Sequence, residues 1–383
     1  MEPESPLSES LAPQPSPEPQ LEPFASEPPA PHVRGLRWVF YGPDGLRAGW
    51  SVLIFVALMV LFGRLLGALI SALHLIPNKS DFSVRAALFG EFAGFVAMIA
   101  SAFIVAMLEH RSIFDYNLRG PKRALRFAAG LVVGLLALSA LVGSLDLGGW
   151  LHFGPVALSG SAVVRYAVLW ACAFLLVGCV EEGLMRCYLL FTLTRGLNFW
   201  WALGLVAAMC VDLVIRTRGN GVWGVYGLAL LGLLPCAILF VKKAASSGFW
   251  YATWVTSTFF AFGHTGNNGE NWIGIFAAGA IGAVFCVSVR LTGSAWWAIG
   301  CHAAWDWAET YFYGTADSGF VAKGHLLTTS PAGPAFWSGG TDGPEGSVLV
   351  LGAVLLILLV LLALYGRREP VTLPAAAIEQ PAG

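Results

Sequence analysis

The chain has 383 residues, 57% of them hydrophobic and only 12% charged, with a net charge of −1 and a mean hydropathy of +0.70. Soluble domains carry about a quarter charged residues, so this composition, with its recurrent apolar runs near twenty residues, is that of a polytopic membrane protein. A near-neutral chain with no Lys/Arg block is not a nucleic-acid binder, and the seven cysteines, scattered singly through apolar segments, read as small buried hydrophobes rather than a disulfide framework.

Residues 1–32 are rich in Pro, Glu and Ser and lack an apolar core, which predicts a disordered cytoplasmic tail rather than a signal peptide. Residues 33–160 form a first group of transmembrane helices. Arg34, Arg37 and Arg47 precede the first span, Gly49–Ser71, and place the N-terminus in the cytoplasm by the positive-inside rule. A second span, Val84–Leu108, leads to a connector with Arg111, Arg119, Lys122, Arg123 and Arg126, again cytoplasmic in composition. The third span, Phe127–Val142, exits into Gly143–Gly160, which has no Lys or Arg, as expected of the far side.

Residues 161–313 read as a second membrane domain. Its first span, Ala162–Val180, returns to the cytoplasmic face and delivers Glu181 and Glu182 near it. A hairpin, 198–243, follows: spans Asn198–Ile215 and Gly221–Val241, joined by a loop with Arg216, Arg218 and Asn220 and closed by Lys242 and Lys243. The two far-side arginines run against the rule. Phe249–Phe262 is short and aromatic and ends at His264 and the polar run Thr265–Asn271. Trp272–Arg290 and Ala295–Tyr313 complete the domain, the latter carrying His302 and Asp306. An extramembrane loop, 314–346, precedes residues 347–383, a last span Ser347–Tyr365 stopped by Arg367 and Arg368 and followed by a tail. Both termini fall in the cytoplasm. Because Phe249–Phe262 is short enough to be half-inserted, the predicted fold is an all-α, polytopic integral membrane bundle of about 8–10 transmembrane segments.

An ionised side chain at the bilayer centre costs roughly 2.5–3.5 kcal/mol even on lenient scales, so ionisable groups in or beside the spans carry the functional signal. Arg64 and Arg85 lie towards span ends, where long side chains snorkel or pair; Glu91 and Asp212 read as structural groups bonded to neighbouring helices. Six others group by helical spacing. Glu182 and Arg186 are i,i+4 and share one face as an ion pair, whereas Glu181 is turned about 100° away and is free for chemistry. His302 and Asp306 are also i,i+4, a donor–acceptor or two-ligand face. His264 ends the aromatic segment. Each alone has an ordinary structural reading. Together, carboxylates and imidazoles on three segments make an inventory for activating water and stabilising an oxyanion.

These residues resemble a known family. Glu181-Glu182-x-x-x-Arg186, Phe260-x-x-x-His264 and His302-x-x-x-Asp306 are similar to the three-motif signature of CPBP intramembrane proteases, relatives of the type II CAAX prenyl endopeptidase that include bacteriocin-processing and immunity proteins. The flanks Tyr188-Leu189, Asn268-x-Glu270 and Gly300-Cys301-His302-Ala303-Ala304-Trp305 agree. The resemblance implies an all-helical membrane endopeptidase whose catalytic cavity opens to the cytoplasmic side. It implies that Glu181, with His264, activates the hydrolytic water. His302 and Asp306 would bind the oxyanion or, with Glu181 and His264, a divalent metal such as zinc; a metal-independent mechanism is implied equally. Glu182 and Arg186 would orient the site. The expected partners are membrane lipids and a membrane-associated or lipidated peptide or protein, and the expected place is the plasma membrane if the chain is bacterial. Three positions depart from the family: Cys187 stands for the usual Gly, the 198–243 hairpin lengthens the link between the first two motifs, and Asp306 stands where many members have Asn. An ionised Asp cannot donate to an oxyanion, so orientation of His302 through its ring N–H is the favoured role for Asp306, and metal binding the next. A non-catalytic scaffold or immunity-type protein, and an ion-coupled transporter, are the rival functions.

Overall fold

The computed structural model describes residues 37–42, 45–76, 83–218, 222–267 and 269–367. The tail 1–32, Arg34, Asn220, Asn268, Arg368 and the C-terminal tail lie outside them. Each of the ten apolar runs is a helix: α1 (Ala48–Ala72), α2 (Val84–Leu108), α3 (Arg123–Leu147), α4 (from Ser161), α5 (Phe199–Thr217), α6 (Trp223–Val241), α7 (Ser247–His264), α8 (Trp272–Thr292), α9 (from Trp296) and α10 (Leu349–Tyr365). With no water in hydrocarbon, the backbone must pair within each crossing segment, and helices do so. Seven, α1 to α6 and α8, are long and apolar enough to cross a membrane by length and composition. The helix α7 falls short in apolar character because it is enclosed by protein rather than lipid. Its Thr253, Thr256, Ser257 and Thr258 are all buried, and Thr256 Oγ1 donates back to Ala252 O at 2.8 Å.

One boundary differs from the sequence reading in a way that moves the site. The fourth span does not end at the glutamates. Ser161–Glu182 is α-helical, Gly183–Leu189 is a π-helical stretch, and Leu190–Gly196 is α-helical again, giving one rod of 36 residues, about 54 Å at 1.5 Å per residue. Glu181 and Glu182 therefore sit inside the bundle and not at its face. The helix α9 behaves alike: Trp296–Asp306 is α-helical and Trp307–Tyr313 is π.

Close helix approach fixes α9. A Cβ on Gly130 would land on Trp297 O, one on Gly134 on Cys301 O, and one on Gly300 on Phe127 O, so glycines on both partners let the α3 and α9 backbones touch. Gly178 on α4 faces Ile299 O in the same manner, at 3.0 Å. Up-and-down alternation gathers Arg47, the 109–126 connector, Arg195, Lys242, Lys243, Arg290 and Arg367 at one end. There Glu109, not singled out from sequence, accepts from Ser51 Oγ (2.6 Å) and pairs with Arg111 Nε (2.6 Å), tying α1 to α2.

The opposite end is roofed. The strand β1 (Leu151–Val156) pairs antiparallel with β2 (Leu327–Pro331), His152 opposite Ser330, so the 143–160 and 314–346 loops form one structure. Trp150 stacks on Trp337 at 4.8 Å. Asn271 caps α8 by accepting from Ile273 N (2.7 Å) and donates to Gly346 O (2.9 Å), while Asp342 accepts from Asn271 N (3.1 Å). Asp212 is bonded to its own helix rather than a neighbour, accepting from Arg216 Nε at 2.6 Å. That pairing accommodates one of the two arginines that ran against the charge rule.

Candidate active site

The first motif places two glutamates in different surroundings. Glu182 is fully buried and accepts from Arg186 Nη1 at 3.1 Å, the i,i+4 pair expected from sequence. The Arg186 guanidinium lies 4.6 Å from the Phe260 ring centre and 5.4 Å from that of Phe285, a desolvated cation–π sandwich. Its backbone oxygen accepts from Asn117 Nδ2 at 2.7 Å. Gly282 leaves room for the guanidinium, since a Cβ there would lie 2.7 Å from Arg186 Nη2. Glu181, by contrast, keeps 38% of its side chain exposed and lines a cavity of about 320 Å³.

That cavity gathers Glu181, His264, His302 and Asp306, which come from α4, α7 and α9. His302 Nδ1 donates to Glu182 Oε1 at 2.9 Å. Its other nitrogen, Nε2, lies 3.7 Å from Glu181 Oε2 and 3.5 Å from Asp306 Oδ2. Glu182, on α4, thus holds the Nδ1–H of His302, and Asp306, one turn along α9, faces the nitrogen open to the cavity. His264 Nδ1 donates to Phe260 O, one turn earlier, at 2.8 Å. A ring whose Nδ1 carries the proton has Nε2 as its acceptor. Phe260 also packs edge-on against both imidazoles, at 4.6 Å and 6.2 Å.

Several lining residues were not assigned to the site from sequence. Glu91 of α2, read as structural, lines the cavity, as do Phe285 of α8 and Asp317, Ser318, Phe320 and Glu345 of the roof. Phe285 sits in a uniformly apolar run, and the roof residues in a stretch whose composition reads only as loop, so neither gave a local signal. Burial pushes the Asp317 carboxyl up to about 7, helped by Glu345, and pushes Asp342 to about 7. Glu270 rises to about 9, by burial first and Asp342 second.

The roof residues among the cavity's lining, Asp317, Ser318, Phe320 and Glu345, belong to the end of the bundle opposite the basic connectors. Ligands about 2.0–2.3 Å from a tetrahedral zinc stand about 3.3–3.8 Å from one another, and His302 Nε2 lies 3.5 Å from Asp306 Oδ2 and 3.7 Å from Glu181 Oε2. Among the described residues, the carboxylates spaced to share one ion are Glu309, Asp317 and Glu345. The chemistry proposed below uses the protons of Glu181, His264, His302 and Asp306 themselves.

Residues 237–308 match the family model described as type II CAAX prenyl endopeptidase Rce1-like. No curated protein and no solved structure matches the chain. The matched stretch contains His264, His302 and Asp306 and begins well after Glu181, Glu182 and Arg186. The first motif thus joins the site by geometry, through the Glu182–His302 hydrogen bond, independently of that match.

Proposed function

Because this chain carries a type II CAAX prenyl endopeptidase Rce1-like segment, we propose that it is an intramembrane endopeptidase that hydrolyses peptide bonds in membrane-associated or lipidated protein or peptide substrates. The observation that carries the reading is His302, fixed by Glu182 at one nitrogen and presented with Glu181 and Asp306 at the other, in a cavity inside the bundle.

Water enters between Glu181 and His264. Glu181 takes a proton from it while His264 Nε2 accepts the second O–H, and the oxygen attacks the scissile carbonyl carbon. The carbonyl oxygen becomes an oxyanion, to which His302 donates its Nε2 proton in a hydrogen bond. Glu182 holds the opposite ring N–H, and Arg186 balances the Glu182 charge so that both stay fixed while the charge moves. Glu181 then delivers its proton to the leaving amide nitrogen as the C–N bond breaks. Asp306 holds the Nε2 proton towards the cavity in the resting site and gives it up to the substrate oxygen.

We read the basic end of the bundle as cytoplasmic, so the substrate reaches the site from the non-cytoplasmic half of the membrane. Comparison of new C-termini in membranes from cells with wild type and with Glu181→Gln, at matched expression, tests the enzyme. Loss of the base is expected to reduce cleavage by about 10²-fold or more. Undiminished cleavage would leave the polar cluster as a structural core and the chain as a scaffold.

A further inference from the structure

Where α9 turns π-helical it presents Glu309 to the roof. Glu309 is fully buried, and neither of its carboxylate oxygens has a hydrogen-bond partner. Its backbone is well anchored, since Glu309 O accepts from Thr315 N and Thr315 Oγ1, both at 3.1 Å. The orphaned group is therefore the carboxylate alone, and leaving a buried charge without a partner is among the costliest arrangements a protein can hold.

Two further carboxylates converge on it. One oxygen each from Glu309, Asp317 and Glu345 lie within 4.8 Å of one another. Ligand oxygens stand about 2.3–2.6 Å from calcium, so two facing each other across the ion are about 5 Å apart, and the three oxygens fit around one ion. Asp317 and Glu345 are also oriented as ligands are, by donors behind them. Asp317 Oδ2 accepts from Thr310 Oγ1 at 2.7 Å, and Glu345 accepts from Trp305 Nε1 at 2.9 Å and from Ser318 Oγ at 3.2 Å.

We propose that Glu309, Asp317 and Glu345 bind a hard divalent cation, calcium before magnesium, which clamps the 314–346 roof to the end of α9 and α10. An all-carboxylate set without nitrogen or sulfur selects the oxygen-seeking ions over zinc. Calcium is favoured because long, separately anchored carboxylates form a loose cage, and magnesium demands near-octahedral closure at about 2.0–2.1 Å. The clamp sets the cavity's rim, since Asp317, Ser318 and Glu345 line it. The site does not rest on the proteolytic reading, and its ligands are none of Glu181, His264, His302 or Asp306.

The test uses the full chain in detergent, stripped with a chelator and melted across a calcium titration, with terbium luminescence excited at tryptophan as the second readout. Trp305, bonded to Glu345, is the antenna. Calcium is expected to raise the melting temperature saturably by several degrees, in the manner of any ligand bound only by the fold, with magnesium weaker. Glu309→Gln should abolish both the rise and the luminescence and should melt higher than wild type when both are cation-free. Asp317→Asn, the milder change, should weaken binding at least tenfold. Glu181→Gln should keep the full calcium response whether or not it cleaves. Identical melting with and without calcium, together with no luminescence, would show that the carboxylates share protons and overturn the site. A response undiminished in Glu309→Gln and Asp317→Asn would place the ion elsewhere and overturn the assignment.

Discussion

At the residue scale the centre of the arrangement is Glu182 rather than the more exposed Glu181. One buried oxygen, Oε1, accepts from both Arg186 Nη1 and His302 Nδ1. The i,i+4 relation to Arg186 was legible in sequence because a helix fixes it. The bond to His302 crosses from α4 to α9 and has no local signature. Removing the Glu182 charge while keeping its shape isolates the two duties. Glu182→Gln leaves Arg186 buried beside Phe260 and Phe285 without a counter-charge, and breaking a buried pair in this way costs about 3–5 kcal/mol. We expect a matching loss in thermal unfolding of the solubilised protein. A double variant, Glu182→Gln with Arg186→Met, should recover most of that stability and none of the cleavage. Recovery of activity in the double variant would show that the pair has no part in the chemistry.

At the element scale, two devices position these side chains. The first is the glycine seam that lets α9 touch α3. Gly300→Ala sets a methyl against Phe127 O, and because backbone cannot give way as a side-chain tip does, overpacking should cost about 1–3 kcal/mol. Unfolding midpoints of Gly300→Ala and Gly300→Ser measure it, and unchanged midpoints would mean that the helices do not meet there. The second device is the stitched roof, whose acids carry a pH dependence. Burial holds Glu270 at about 9 and Asp342 at about 7, against ordinary values of 4.5 and 3.8. The fold thus keeps protons that the unfolded chain has already lost. The stability this gives is whole below about pH 4 and falls as pH rises through 7 and then 9. The charged groups facing the pair are Glu345 and, towards Asp342 and Glu270, Asp317. Chelator-treated protein should melt progressively lower from about pH 5 to pH 9, and Glu270→Gln should flatten the upper part of that decline. A flat wild-type profile would mean that these carboxyls are already ionised in the fold.

At the scale of the whole molecule, what could be read in advance was what the membrane dictates. All ten helices were legible because a bilayer admits only runs that satisfy their own backbone, and Glu181, His264, His302 and Asp306 because charge and imidazole are rare at that depth. The π stretches after Glu182 and Asp306 were not legible, since the same apolar residues continue through them; the rod running on to Gly196 was therefore cut short at Val180. The roof was not legible either, because Asp317 and Glu345 are 28 residues apart in a Gly- and Pro-rich stretch and meet only through β1–β2 pairing and the Asn271 cap. Once the roof is placed, the molecule is sharply polarised. Lys242, Lys243, Arg290 and Arg367 mark one end, while Asp317, Asp342, Glu345 and Glu270 gather at the other, over the cavity. On the proposed reading of the basic end as cytoplasmic, the acidic roof faces away from the cytoplasm. A cysteine introduced at exposed Ser330 should react with a membrane-impermeant maleimide on intact cells, above the background of the native cysteines, and one at Lys242 only after permeabilisation. The opposite pattern would invert the protein, put the cavity on the cytoplasmic face as the wider family resemblance implied, and require substrates delivered from within the cell.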